Sequence, residues 1–264
     1  MTQDEVDLER RFSGVRRLYG EAGLARLQAA HVCVIGLGGV GSWAAEALAR
    51  NAVGHLTLID LDNIAESNVN RQLHALGDAF GQAKVAAMAA RIHLINPYCQ
   101  VRAIEDFVTP ENVAQLLEND SDAVFDAIDD ARAKVALATH CRQQNVPLIM
   151  AGGAGGRLDP TRIHRDDLAY AAGDRLLAKV RDTLRRDHGF PRGSGKPGKK
   201  SPKFGITCIY SDEPVRKPVD AGCEFEPSAL SGLHCAGYGS SVCVTAAFGM
   251  TAAASILDML VNTA

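Results

Sequence analysis

The stretch "VCVIGLGGVGSWAAEALARNAVGHLTLIDLDNIAESNVNRQ", residues 32–72, decides the fold. Gly36, Gly38 and Gly41 stand in the order G-x-G-x-x-G, with Gly39 inside the same turn. They follow the short apolar run "HVCVIG" and open "GSWAAEALARNAV", whose apolar spacing is helical. Glycines there allow a tight turn and let a phosphate approach the helix N-terminus closely. The next apolar run, "HLTLID", ends on Asp60, 24 residues beyond Gly36, where a carboxylate accepts hydrogen bonds from ribose hydroxyls. Up to this point NAD and ATP are served equally.

The continuation separates them. "DLDNIAESNVNRQ" places Asp62, Asn68, Asn70, Arg71 and Gln72 just past the second strand's carboxyl end, where open α/β sheets bind ligands. Hydride transfer has no use for so many phosphate-directed groups. Arg71 offers a planar fork to phosphate oxygens, and Lys84, early in the following helix, adds a compact charge. "FDAIDD" brings Asp126 and Asp129 to the same sheet edge, where a carboxylate can hold magnesium on a triphosphate. The constellation points to polyphosphate.

Outward from this stretch, strands and helices alternate. "GQAKVAAMAARIHLI" reads as a helix and "QVRAIE" as a strand. "TPENVAQLLE" reads as a helix capped by Thr109, followed by the strand "DAVFDAI", the helix "ARAKVALATHCRQQ" and the strand "VPLIMAG". Such alternation predicts a Rossmann-like, doubly wound, mostly parallel sheet with helices on both faces. The 264 residues read as one domain, 1–264, with a nucleotide-binding core over about 30–152 and a substrate-side and crossover region over about 153–264. In the latter, "GDRLLAKVRDTLRRDHG" is a basic helix, "PRGSGKPGKKSPKFG" a loop, and Asp212 to Leu233 irregular. The uncharged run from Cys235 to Leu257 is long enough to span a bilayer, yet its glycines and small polar residues mark a buried core helix, so membrane contact is not expected.

Composition is that of a soluble protein, 47% hydrophobic and 22% charged, which excludes disordered and fibrous classes. A net charge of -3 argues against a generally basic nucleic-acid binder. The seven cysteines are scattered without a Cys-x-x-Cys pair, and the N-terminus lacks a secretory core, so a reducing cytoplasm is expected.

"GLGGVGSWAAEAL", "LIDLDNIAESNVNRQ", Lys84 and "DAIDD" together resemble the adenylation core of the ubiquitin-activating-enzyme-like superfamily, which activates carboxylates with ATP. "RRFSGVRRLYGEAGLARL", "INPYCQV", "EDFVTPENV", "AGGAGGRLDPT" and "GSSVCVTAAFG" are similar to one branch of it, the tRNA threonylcarbamoyladenosine dehydratases, and the likeness runs over about residues 10–258. The resemblance implies a C-terminal extension of the adenylation fold and ATP-dependent ring closure on threonylcarbamoyladenosine beside the tRNA anticodon. It implies Asp60 on the ribose, Asn68, Arg71 and Lys84 on the phosphates, and Asp129 on magnesium and the reacting region. A monovalent cation, a homodimer and a sulfur-relay protein are further partners of this kind. The superfamily often has an arginine just after the opening aromatic, supplied across a dimer to the triphosphate; that place is Gly14 here, and Arg11, Arg16 and Arg17 read equally as substitutes for it or as solvated arginines on an N-terminal helix. The sulfur-carrier-activating members, the alternative reading, carry two Cys-x-x-Cys zinc pairs that this chain lacks.

Other residues have plainer readings. His74 reads as packing rather than proton transfer, and Trp43 as core. Cys223 and Cys235 lie where relatives place a thioester cysteine, but ring closure within one substrate needs no covalent carrier. From Arg175 to Lys203 there are ten basic residues against Asp182 and Asp187. Such a run is ordinarily a solvated face. Joined to the resemblance, it makes Lys196, Lys199, Lys200 and Lys203 candidates for tRNA backbone contact.

Overall fold

The computed structural model describes residues 6–117, 120–193, 201–216 and 238–262. Helix α1 (Leu8–Ala29) leads into β1 (His31–Ile35), and α2 (Gly41–Arg50) crosses to β2 (His55–Ile59). Helix α3 (Lys84–Ile95) then leads to β3 (Gln100–Ile104). The chain returns through α4 (Val113–Leu116) to β4 (Ala123–Asp126), and α5 (Ala131–Gln144) leads to β5 (Leu148–Ala151). Strand β6 (Ile163–Asp167), helix α6 (Arg175–Asp187), strand β7 (Thr207–Ser211) and helix α7 (Val242–Asn262) complete it. The seven strands form one sheet in the order β3-β2-β1-β4-β5-β7-β6. All pairings are parallel except β6 on β7. Strand order reverses between β1 and β4, which is the switch point where an open α/β sheet leaves a crevice.

Side-chain alternation along the strands divides the core into two layers. Val32, Val34, Leu56 and Leu58 pack with α2, α3 and α7, whereas Cys33, Ile35 and Val124 pack with α5 and α6. Strands buried on both faces explain why these runs read as continuously apolar. Helix α7 is the one described helix long and apolar enough to cross a membrane, and more than half of its apolar window is buried inside the fold. It starts later than the uncharged run predicted and passes through Asp258 to Asn262. Its Gly249 lies against α2 so closely that a Cβ there would collide with the Val40 carbonyl and come 2.9 Å from Trp43 Cβ.

Two sequence expectations are corrected. The helix expected over "TPENVAQLLE" is only four residues long, because Thr109 caps no helix. Its Oγ1 accepts from Glu111 N at 3.2 Å and its N–H donates to Asn112 Oδ1 at 2.7 Å, closing a turn instead. Strands β6 and β7 were not anticipated. The exposed, charged "IHRDD" pairs antiparallel at the sheet edge, where no apolar alternation is required.

Candidate active site

The first strand-helix turn is shaped by what glycine permits. Gly36 has φ +86, and a Cβ there would sit 3.1 Å from the Ala127 carbonyl group, while a Cβ on Gly41 would strike the Gly36 carbonyl oxygen. Val40, at the N-cap of α2, supplies no side-chain acceptor, and of the amides opening that helix Ser42 N already donates to Gly38 O at 3.2 Å, which leaves the others and the helix dipole to a ligand. The turn borders a cavity of about 630 Å³ over the carboxyl ends of β1, β2 and β4, lined by Gly36, Gly38, Gly39, Asp60, Asp62 and Asp129 among others.

Lys84 begins α3 and is only 5% exposed. Its Nζ lies 2.6 Å from Asp62 Oδ2 and 3.6 Å from Asp60 Oδ1. Asp60 also accepts from Leu37 N at 2.6 Å and Asp62 N at 2.9 Å, which ties the glycine turn to the end of β2. Helix α3 is held against α2 by buried Glu46, whose carboxylate meets Arg91 Nε and Arg50 Nε at 2.7 Å each. Burial alone would raise the Glu46 pKa, and the two arginine hydrogen bonds outweigh it and hold it below the usual range. Arg71 enters the cavity wall beside Gly39. Its Nη1 donates to Ser67 O at 2.7 Å and Asn70 Oδ1 at 3.0 Å. Trp43 does more than fill the core, since its indole N–H holds the Arg71 carbonyl at 3.0 Å.

The structure therefore brings Gly36, Gly38, Gly39, Asp60, Asp62, Arg71, Gln72, Lys84 and Asp129 to one cavity. Gly41 supports the turn from behind. Asn68 departs from the expectation: it lies outside the cavity lining, and its Oδ1 accepts from Ala65 N at 3.1 Å to shape the preceding turn. Asp126 also departs. It is fully buried against the fully buried Lys134, 3.0 Å away, beneath the cavity floor. Burial pushes its carboxyl pKa up, against the pull of Lys134. None of the three N-terminal arginines lines the cavity. Arg11 donates to Ile95 O at 2.7 Å at the far end of α3, Arg16 pairs with Glu9 and Glu21, and Arg17 is exposed.

His74 is buried and both its ring nitrogens lack a partner. Burial, with Lys84 and Arg91 nearby, lowers its pKa to about 4, so the ring is neutral. Cys33, Cys99, Cys141 and Cys208 are buried with thiol pKa values raised mainly by desolvation, which leaves them unreactive. Cys223 and Cys235 lie outside the described residues, as do Lys196, Lys199 and Lys200; Lys203 is exposed. Helix α6 is less available to a partner than its charge count implied. Arg181 donates to Ala171 O, Arg185 to Pro191 O, and Arg186 pairs with Asp187.

Residues not assigned to the site from sequence come from the Asp106 to Glu111 segment, from Arg132 in α5 and from farther along the chain. Gly152 to Gly155 and Ser240 line the same cavity, as does Thr245 of α7. The "AGGAGG" run and the "GSSVCVTAAFG" motif contain them, but neither was tied to the nucleotide site.

The ThiF family model matches residues 11–263, nearly the whole chain. The chain belongs to the ThiF family. Within it, the chain is 46% identical over 255 residues to a tRNA threonylcarbamoyladenosine dehydratase of Escherichia coli, covering 95% of this chain and 93% of that protein. It is 44% identical to the dehydratase of Haemophilus influenzae, covering 96% and 94%. The E. coli dehydratase solved in complex with ATP superimposes with a TM-score of 0.83 at 44% identity, covering 96% of this ThiF-family chain and 94% of that one. The fold and family resemblance drawn from the motifs are borne out.

Proposed function

We propose that this protein uses ATP to dehydrate threonylcarbamoyladenosine in tRNA, closing the threonyl carboxylate onto a nitrogen of its own ureido group. The observation that carries this reading is the convergence of a glycine turn, Lys84, Arg71 and Asp129 on one cavity, in a chain similar over nearly its full length to dehydratases. A carboxylate oxygen is a poor leaving group. ATP supplies the phosphoryl or adenylyl group that turns it into a good one, with water's oxygen leaving on phosphate.

The chain's own residues do the rest. The amides at the start of α2 and the Lys84 ammonium face the phosphate chain and stabilise charge that develops on it. Asp60 and Asp62 fix the direction of Lys84, so that little reorganisation is needed when charge moves. Holding carboxylate and nitrogen together converts ring closure into a unimolecular step. Magnesium fits this donor set. Among the described residues no three His, Cys, Asp or Glu cluster to hold an ion alone, and magnesium commonly takes one or two carboxylates plus substrate phosphates. Asp129 would be its protein ligand, and the ion would neutralise phosphate charge.

For the tRNA, Lys196, Lys199, Lys200 and Lys203 are proposed as backbone contacts that the cavity alone does not provide. Nucleoside mass spectrometry of tRNA incubated with the protein and ATP tests the reading. Loss of one water from threonylcarbamoyladenosine, dependent on ATP, is expected, and unchanged nucleoside in the presence of bound ATP would refute it.

A further inference from the structure

Helix α7 is 21 residues long and begins at the cavity, where Ser240 just before it and Thr245 in its first turn are lining residues. The residues before it are stitched to the Arg71 segment, because Val242 N donates to Asn70 O at 3.1 Å and Asn70 Nδ2 donates to Ser240 O at 2.7 Å. Its first-turn amides are already used: Cys243 N donates to Ser241 Oγ, and Val244 N and Thr245 N donate to Ser241 O. The helix therefore offers a ligand its dipole and its side chains, not its N–H groups.

Thr245 is the side chain in question. It is 3% exposed, it lines the cavity, and its Oγ1 has no hydrogen-bond partner. Hydroxyls elsewhere in α7 satisfy themselves on the preceding turn, Thr251 on Ala247 O at 2.7 Å and Ser255 on Thr251 O at 2.9 Å. Thr245 makes no such bond; the carbonyl one turn back, Ser241 O, already accepts two N–H groups. An unsatisfied buried hydroxyl costs roughly 1–3 kcal/mol, so its persistence calls for an occupant that accepts a hydrogen bond. The position identifies that occupant. A Cβ built on Gly39 would lie 3.2 Å from Thr245 Cβ and 3.1 Å from Arg71 Cγ, so Thr245 and Arg71 flank the same glycine of the phosphate turn.

We propose that Thr245 is a further nucleotide-positioning residue, its hydroxyl donating to a phosphate oxygen of ATP at the glycine turn opposite Arg71. This rests on the nucleotide reading above and extends it to the C-terminal helix, which couples the last element of the chain to the first strand-helix turn.

The decisive pair of variants is Thr245→Val, which keeps the β-branched shape but removes the hydroxyl, and Thr245→Ser, which keeps the hydroxyl. Calorimetric titration of ATP and of adenosine is the readout, with melting of the nucleotide-free protein as the control. In Thr245→Val, ATP should bind roughly tenfold more weakly, as expected for a lost hydrogen bond to a charged group. Adenosine binding should stay unchanged, and the nucleotide-free protein should melt no lower than wild type because an orphan donor is gone. Thr245→Ser should restore ATP affinity. Wild-type ATP affinity in Thr245→Val overturns the proposal, and so does equal weakening of ATP and adenosine, which would report a distorted pocket. Failure of the wild-type protein to bind ATP would remove the nucleotide reading and this assignment together.

Discussion

Lys84 sits where two requirements conflict. Its ammonium is almost wholly buried, which costs solvation, yet one of its partners, Asp62, is 73% exposed by side chain and screened by water. Such a cation is only partly compensated within the protein and gains most from a further anion. Lys84→Met keeps the stem and deletes the charge. ATP-dependent product formation should fall by about 10²–10³ in single turnover, the range for removing one fixed electrostatic donor, while melting changes little. Near-wild-type turnover would remove Lys84 from the chemistry. His74 supports a prediction of a different kind. Its folded pKa of about 4 lies below the ordinary 6.5, so the unfolded chain takes up the proton first as pH falls. Its contribution to stability is constant above pH 6.5 and declines from there to pH 4. His74→Leu should flatten stability against pH in that window, gaining on wild type by on the order of 2–3 kcal/mol at the acid end. Denaturant melts of both proteins at pH 7 and 4.5 measure the difference; parallel losses would show that His74 charges freely in the folded state.

Between elements, the site depends on how tightly α7 lies on α2. Because a Cβ at Gly249 would collide with the Val40 carbonyl, Gly249→Ala must push α7 away from the turn that carries Gly38 and Gly39. Overpacking of this kind costs about 1–3 kcal/mol, or about 3–10 °C in melting temperature for a chain of this size. ATP affinity should drop with it, since Thr245 and Arg71 stand on either side of that turn; a lower melting temperature with unchanged ATP affinity would show that the turn is rigid without α7. This pairing also shows what sequence could and could not convey. The turn from Gly36 to Gly41, the end of β2 at Asp60 and the boundaries of α5 were legible, because local geometry restricts residue type at each position. Thr245 was not, because its significance is an unmet hydrogen bond created by a segment some 170 residues from Arg71. The place of Asn68 was not legible for the converse reason. A carboxamide near phosphate ligands has the same sequence appearance whether it faces the cavity or closes a turn on Ala65.

At the scale of the whole molecule, the cavity and the described flanks of the lysine-rich segment belong to opposite edges of the sheet. Helix α5 starts beside Asp129 and runs away from the cavity, so that Arg142 near its end donates to Gly189 O at 3.3 Å and stacks on Phe190. Phe190 meets Phe204 at 5.0 Å, and Phe204 N and Gly205 N both donate to the Asp167 carboxylate at 2.8 Å. Thr207, the first residue of β7, pairs with Ile149 near the start of β5. The chain on either side of Gly193 to Lys203 is thus anchored at the amino edge of the sheet, and the five residues of β7 separate it from the cavity by about 17 Å. On the proposed reading, a tRNA held at the cavity and near these flanks would lie along that side of the molecule, with its modified base at one end of the contact. Replacing Lys196, Lys199, Lys200 and Lys203 together by alanine should therefore weaken tRNA binding and lower the salt slope by up to about 0.7–0.9 per lost phosphate contact. At saturating tRNA, kcat should remain at its wild-type value, and ATP affinity should not change, because no group in the cavity has moved. Filter binding across a salt series, with kcat and KM measured in parallel, separates the possibilities. An unaltered tRNA affinity and slope would make the segment a solvated face, whereas a fall in kcat at saturating tRNA would place its lysines at the reacting base and contradict the anchoring of its flanks.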